Sequence, residues 1–357
     1  MRVPSGLNGA EYRDDSVSLP WLVMGSSETT ISPSTRDVQA SRPATEVSLS
    51  RVGVTGVEKV LRVKSNGTEE LYHAELECFV DLSPHQAGVH MSRFEETVGE
   101  AIDEVILSEA FRAETLAAHI AERIRERQGG LRSEVRVTAH YPETVETPES
   151  GKRTQEIYTM FGTAIASERG TRTLRGVQAQ GMTACPCAQE MVADLARERL
   201  YEQGFDADEV ERIIDVVPIA THNQRGIGTL YVGCPESWAT DVDARDLLHI
   251  VEQSMSSEIY GLLKRPDELA VVEKAHSQPR FVEDCAREMI RRVIDAYPDM
   301  HEEAFVMARQ ENLETIHRHN VVAERYGTVA DLRQELREGL HIRHHLTMRE
   351  WLESPAD

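Results

Sequence analysis

Residues 47–82 read VSLSRVGVTGVEKVLRVKSNGTEELYHAELECFVDL, and this stretch decides the fold. Apolar residues recur at Val52, Val54, Val57, Leu61 and Val63, and again at Leu76, Cys78, Val80 and Leu82. Between the two runs stands Asn66-Gly67, a pair that accepts the positive φ angles of a tight hairpin turn. The reading is a β-hairpin with strands over 47–63 and 71–82.

Outward from the hairpin, Phe94, Val98, Ile102, Val105 and Ile106 form one stripe of a helix over 93–110. A second helix, with Leu116, Ile120 and Ile124 inward, stops at Gly129-Gly130. Strands over 133–141 and 153–166 complete a β-β-α-α-β-β order. A similar order recurs: an extended run over 173–183, a helix over 187–203 and a strand over 226–232. A long helix over 243–263 follows, ended by Arg265-Pro266, and Pro279 opens another. Strands over 303–316 and 320–325 close the second series. The fold class is α+β, with antiparallel sheets and helix pairs packed on one face. Residues 46–168 make the first module and 169–330 the second. Residues 1–45, rich in Ser, Thr, Pro and Arg, are expected to be a disordered extension. Residues 331–357 form a tail ending in a short helix or a frayed end.

Composition narrows the function. Against 61 acids stand 39 cations, a net charge of −22 that disfavours a nucleic-acid-coating role. Lysine is scarce: Lys59, Lys64, Lys152, Lys264 and Lys274 are all there is. Such a surface suits a high-salt cytosol, where screening removes self-repulsion. No apolar run is long enough to cross a bilayer, and Leu19 to Met24, interrupted by Pro20, does not read as a signal peptide. Five cysteines, an odd number and mostly scattered, argue for a reducing cytoplasm over a disulfide framework.

Chemistry gathers in five motifs. Cys185-Pro186-Cys187 offers thiols to a soft or borderline metal, though two buried small side chains would look the same. Thr221-His222-Asn223-Gln224-Arg225-Gly226 has no large apolar residue, so a site or a solvated turn must explain it. Lys264-Arg265-Pro266-Asp267-Glu268 places cations where they would complement the C-terminus of the preceding helix. Glu268 gains nothing there and is open to a ligand role. Phe281-Val282-Glu283-Asp284 sits in a first helical turn, where acids are favoured anyway. In Glu314-Thr315-Ile316-His317-Arg318-His319, an extended backbone would put both histidines on one face. Together the thiol, imidazoles and carboxylates make a mixed set suited to Zn²⁺ or Fe²⁺.

These motifs, in this order and with His90-Met91-Ser92-Arg93-Phe94 before them, resemble the type IB GTP cyclohydrolase family over about residues 36–328. The long interval between Cys187 and His222 is similar to the archaeal branch. Gly226 stands where bacterial members have serine. The resemblance implies tandem tunnelling-fold modules in a homo-oligomer, dimer or tetramer, with active sites between subunits. It implies GTP as substrate, one Fe²⁺ per subunit (with Mn²⁺ or Zn²⁺ as alternatives), and a 7,8-dihydroneopterin 2′,3′-cyclic phosphate product. The metal ligands it implies are Cys185, His222, Glu268 and His317. Glu283 would anchor guanine, with Glu314 a further acid and His319 a proton carrier. Arg93, Arg225, Lys264 and Arg265 are the candidates to hold the triphosphate. Two other readings stay open. One is a non-hydrolytic purine- or pterin-binding protein of the same fold with a structural metal. The other is a thiol redox protein using Cys185 and Cys187.

Overall fold

The opening hairpin pairs β1 (Leu49–Ser65) with β2 (Thr68–Leu82), from Ser65 opposite Thr68 to Leu49 opposite Leu82. It is seen in a computed structural model that describes residues 37–65, 68–104, 112–235 and 242–354. The Asn66-Gly67 turn lies outside the described residues, as do Val105 and Ile106 of the expected helical stripe. Helices α1 (Met91–Glu104) and α2 (Ala113–Gln128) follow, and Gly129 ends α2 in the left-handed conformation at φ 69°. Strands β3 (Arg132–Glu146) and β4 (Arg153–Ser167) complete the first module. Its core joins Leu61, Leu76, Val98, Leu116, Ile120, Ile124, Val135 and Val137, all fully buried or nearly so. Burying each such aliphatic side chain stabilises the fold by about 1.5–3 kcal/mol.

The second module repeats the order with additions. β5 (Gly170–Ala184) leads into α3 (Pro186–Glu202) and α4 (Ala207–Val216) before β6 (Asn223–Gly233). Next come α5 (Ala244–Gln253), the short β7 (Ser257–Glu258), α6 (Arg265–Ser277) and α7 (Val282–Ala296). β8 (Phe305–Leu313) and β9 (Val321–Thr328) close the module. β4 pairs with β5, so both modules share one antiparallel sheet in the order β1-β2-β3-β4-β5-β6-β8-β9, with β7 beside β5. This is the expected α+β arrangement, an antiparallel sheet with a helix pair over each half. The second core lies between the sheet and α5 and α7, around Val177, Leu230, Leu247, Val251, Met289 and Val293.

Several expectations need correction. The helix over 243–263 stops at Gln253, where the hydroxyls of the buried Ser254, Ser256 and Ser257 bond to backbone. Arg265-Pro266 opens α6 rather than ending a helix, because the missing N–H of proline costs nothing in a first turn. Lys264 and Arg265 therefore sit at a helix N-terminus, and the dipole does not account for them. Likewise α7 starts at Val282, after Pro279. The tail is not peripheral. α8 (Val329–Glu338) buries Val329 and Leu332 in the second core, so the module continues past residue 330. α9 (Met348–Glu353) covers the other face of the sheet, packing Trp351 and Leu352 on Phe161, Leu174, Tyr231 and Phe305. Helices thus cover both faces. At the other end, the N–H groups of Ala87 and Gly88 donate to the carbonyls of Ser41 and Gln39, so packing of the described chain begins ahead of residue 46.

Candidate active site

The site forms where β5 ends, β6 begins and α7 starts. Cys185 follows β5 and caps α3, its Sγ accepting from the Ala188 N–H at 3.5 Å. A helix N-terminus favours negative charge, which suits a sulfur donor. His222 is drawn alongside by backbone pairing: the Cys185 N–H donates to the His222 carbonyl at 3.2 Å. Thr221 Oγ1 donates to the Cys185 carbonyl at 2.8 Å. The Arg280 N–H donates to the Ala184 carbonyl at 3.0 Å, which docks the entry to α7 on the same strand end.

A cleft of about 270 Å³ results, lined by Cys185, His222, Gln224, Arg280, Glu283, Asn312, Glu314, His317 and His319, with Phe281, Val282 and Val321. Six residues singled out from sequence therefore meet: Cys185, His222, Glu283, Glu314, His317 and His319. The two histidines do not ride an extended strand. They lie in the bend between β8 and β9, their rings stacked with centroids 5.3 Å apart. Thr315 Oγ1 ties that bend to the Asn223 carbonyl at 3.0 Å.

Five candidates lie outside this cleft. Arg93 is exposed on α1 in the first module, its Nη1 donating to the Arg127 carbonyl at 3.2 Å. Arg225 is exposed on β6, and alternation along the strand turns it to the face opposite Gln224. Lys264, Arg265 and Glu268 are exposed at the start of α6. Between them Asp267 is fully buried and takes the N–H groups of Glu149, Ser150 and Lys264 and the Ser150 hydroxyl, at 2.6–2.9 Å. Burial alone would raise its pKa; these hydrogen bonds outweigh it and hold the carboxyl well below the usual carboxylate range. Asp267 thereby fastens α6 to the turn between β3 and β4.

Sequence reasoning missed three lining residues. Arg280, one position ahead of the Phe281 motif, supplies the cleft's guanidinium, its Nη1 donating to the Gln253 carbonyl at 3.0 Å. Asn312 ends β8. Gln224 lies inside a quoted motif, where sequence marks it only as part of a polar run; alternation along β6 turns it inward. Gly226 also has a steric account: a Cβ there would stand 2.4 Å from Gln310 Nε2.

The donors fit a borderline metal. Cys185 brings sulfur, and His222 brings an imidazole whose Nδ1 is buried with no hydrogen-bond partner. Among the described residues, however, no three His, Cys, Asp or Glu side chains come together as a complete ion-binding group. Glu268 in particular stands outside the cleft. Cys185 and Cys187 are free thiols, the first partly buried and the second exposed. No helix among the described residues is long and apolar enough to cross a membrane.

Comparisons agree with the motifs. A family model described as type I GTP cyclohydrolase folE2 matches residues 35–323. The GTP cyclohydrolase MptA of Methanococcus maripaludis (strain C5) is 41% identical over 309 residues, 84% of this chain and 98% of that protein. The MptA of Methanocaldococcus jannaschii is 39% identical over 306 residues, 84% and 97% of the two chains. Among solved structures, uricase from Arthrobacter globiformis aligns with a TM-score of 0.46 at 10% identity, covering 82% of this chain and 96% of that one. On the family match and these relatives, the chain is an enzyme of the type I GTP cyclohydrolase family.

Proposed function

We propose that this chain is a metal-dependent GTP cyclohydrolase of the archaeal MptA branch, acting in pterin biosynthesis. It opens the imidazole ring of GTP, releases formate and gives 7,8-dihydroneopterin 2′,3′-cyclic phosphate. One observation carries the reading: Cys185, His222, Glu283, Glu314, His317 and His319, from four separate segments, line one cleft.

The ligands in this reading are Cys185, His222, Glu268 and His317, and the ion is Fe²⁺, with Mn²⁺ or Zn²⁺ as substitutes. When bound, the ion supplies the Lewis acidity that activates water for attack on the poorly electrophilic C8. The remaining work falls to side chains. Glu283 accepts the N1–H and one 2-amino hydrogen of guanine, a bidentate match that adenine cannot offer. His319 or Glu314 hands a proton to the ring nitrogen as its bond to C8 breaks. Arg280 is the cation inside the cleft for the triphosphate. Glu268, Lys264 and Arg265, exposed on α6, act in this reading across a subunit contact in a homo-oligomer.

Anaerobic incubation with GTP and Fe²⁺ tests the proposal. Formate and a pterin that fluoresces after oxidation are expected. GTP binding without formate would instead make the chain a purine-binding module without turnover. The charge of −22 and the five lysines support a high-salt, haloarchaeal cytoplasm as the working environment. At ~0.01 M salt the Debye length is ~30 Å, so repulsion acts across whole subunits. Desalting should therefore dissociate the oligomer and abolish activity before subunits unfold, and molar KCl should restore both. Full assembly and activity in ~10 mM buffer, read by light scattering and formate release, would refute the high-salt reading alone.

A further inference from the structure

The floor of the cleft holds polar groups that the fold itself does not use. Thr183 on β5 stands opposite Gln224 on β6, and on β8 Asn312 stands opposite Gly226 and Gln310 opposite Gly228. These four polar side chains are 0–5% exposed. Thr183 Oγ1, Gln224 Oε1 and Gln310 Oε1 are buried without a hydrogen-bond partner, while Gln310 Nε2 donates to Asn312 Oδ1 at 3.0 Å. A buried acceptor left unpaired is costly, and an aliphatic side chain would serve the sheet better. Apolar side chains border it directly, since Val251 and Met255 press on Gly228 and Gly226, the residues opposite Gln310 and Asn312. The polar patch is therefore local, and Gln224 and Asn312 bring it to the cleft wall.

The unpartnered atom of Gln224 is a buried acceptor, and Gln224 lines the same cleft as Glu283. Two acceptors around one small cleft call for a ligand that presents several N–H donors along one edge. Guanine presents three such hydrogens: N1–H and the two of its 2-amino group. A single carboxylate takes N1–H and one amino hydrogen, which leaves the second amino hydrogen to be satisfied. We propose that Gln224 accepts that second hydrogen, so that it is a specificity-determining residue reading the 2-amino group of the substrate purine. This rests on the GTP reading above and deepens it.

The test compares GTP with inosine triphosphate, which lacks only the 2-amino group. Wild-type enzyme loaded with Fe²⁺ should prefer GTP. In Gln224→Met, kcat/KM for GTP should fall at least about tenfold while that for inosine triphosphate changes less than about twofold. Gln224→Glu keeps an acceptor and should retain the preference. Equal losses on both nucleotides in Gln224→Met would reveal a structural role and overturn the proposal, as would no loss on either. If the wild type releases no formate from GTP, the reaction reading is what fails. The same ratio taken from equilibrium binding of the two nucleotides then decides the role of Gln224.

Discussion

The two modules share a scaffold and differ at its connections. In the first, β1 passes to β2 through residues 66–67; in the second, β5 passes to β6 through residues 185–222, which carry α3 and α4. In the first, α1 and α2 are consecutive; in the second, β7 and α6 stand between α5 and α7. Both additions border the cleft, since Cys185 opens α3, His222 follows α4 and Arg280 follows α6. The interiors differ too. Buried hydroxyls and an amide in the first module find partners at home: Thr97 on the Arg93 carbonyl, Ser133 on that of Ala121, Gln128 on that of His90. Both modules keep buried acceptors without a partner, Glu114 Oε2 in the first and Thr183, Gln224 and Gln310 in the second, but those of the second cluster on neighbouring strands beside the cleft. The candidate site lies in the second copy of the fold, at the places where its chain departs from the shared order.

The sharpest way to break this comparison is to remove a cleft thiol and a core thiol in parallel. Cys185→Ala should lower formate release by about 10³-fold or more, because in the proposed reading the metal would lose its sulfur donor. Cys187→Ala, at an exposed position, should change it by no more than about twofold. Cys78→Ala, in the first module's core, should lower the melting temperature and leave turnover per folded molecule intact. Equal activity in the Cys185 and Cys187 variants would remove Cys185 from the chemistry.

A smaller effect is expected at Glu283, the proposed base anchor. Glu283→Gln puts an amide donor against a donor edge of guanine, costing about 2–4 kcal/mol of discrimination. Assays on GTP and ATP measure it directly. Unchanged GTP preference would move the anchor to Glu314, which shares the cleft.

What sequence made legible follows the same division. The first module obeys its periods, so the β1–β2 hairpin and the Gly129 stop of α2 were readable from spacing alone. The second module misled at Arg265-Pro266, because proline both ends helices and begins them, and only the buried serines after Gln253 decide between the two. The α8 and α9 segments looked like a tail because short helices carry weak periodicity; Trp351 matters through Phe305, far away in the chain. The cleft residues were legible as types in motifs. Their grouping was not, since Glu268 shares a motif with Asp267 yet Asp267 alone is buried. Arg280 stayed hidden because nothing local distinguishes a guanidinium that lines a site from one in solvent.

The seam between the modules offers the last and smallest test. Tyr158 of β4 donates its hydroxyl to Glu252 Oε1 of α5 at 2.7 Å. Burial pushes the Glu252 carboxyl up to about 7, the charges of Glu258, Glu143 and Glu156 add to the rise, and the Tyr158 hydrogen bond opposes it. Between the ordinary value of 4.5 and about 7 the folded chain holds a proton that the unfolded chain has released. This contribution to stability is therefore complete below the lower value, falls as pH rises through the window, and is gone above it. Glu252→Gln stays neutral at every pH and should escape that loss. At pH 8 the variant should be more stable than wild type by roughly 2–3 kcal/mol, with a clearly smaller gap near pH 5. Urea titrations of both proteins at the two pH values isolate the effect, because every other titrating group is common to them. A gap of the same size at both values would mean that Glu252 is ionised in the folded seam, and that the two modules meet there through a charge rather than a shared proton.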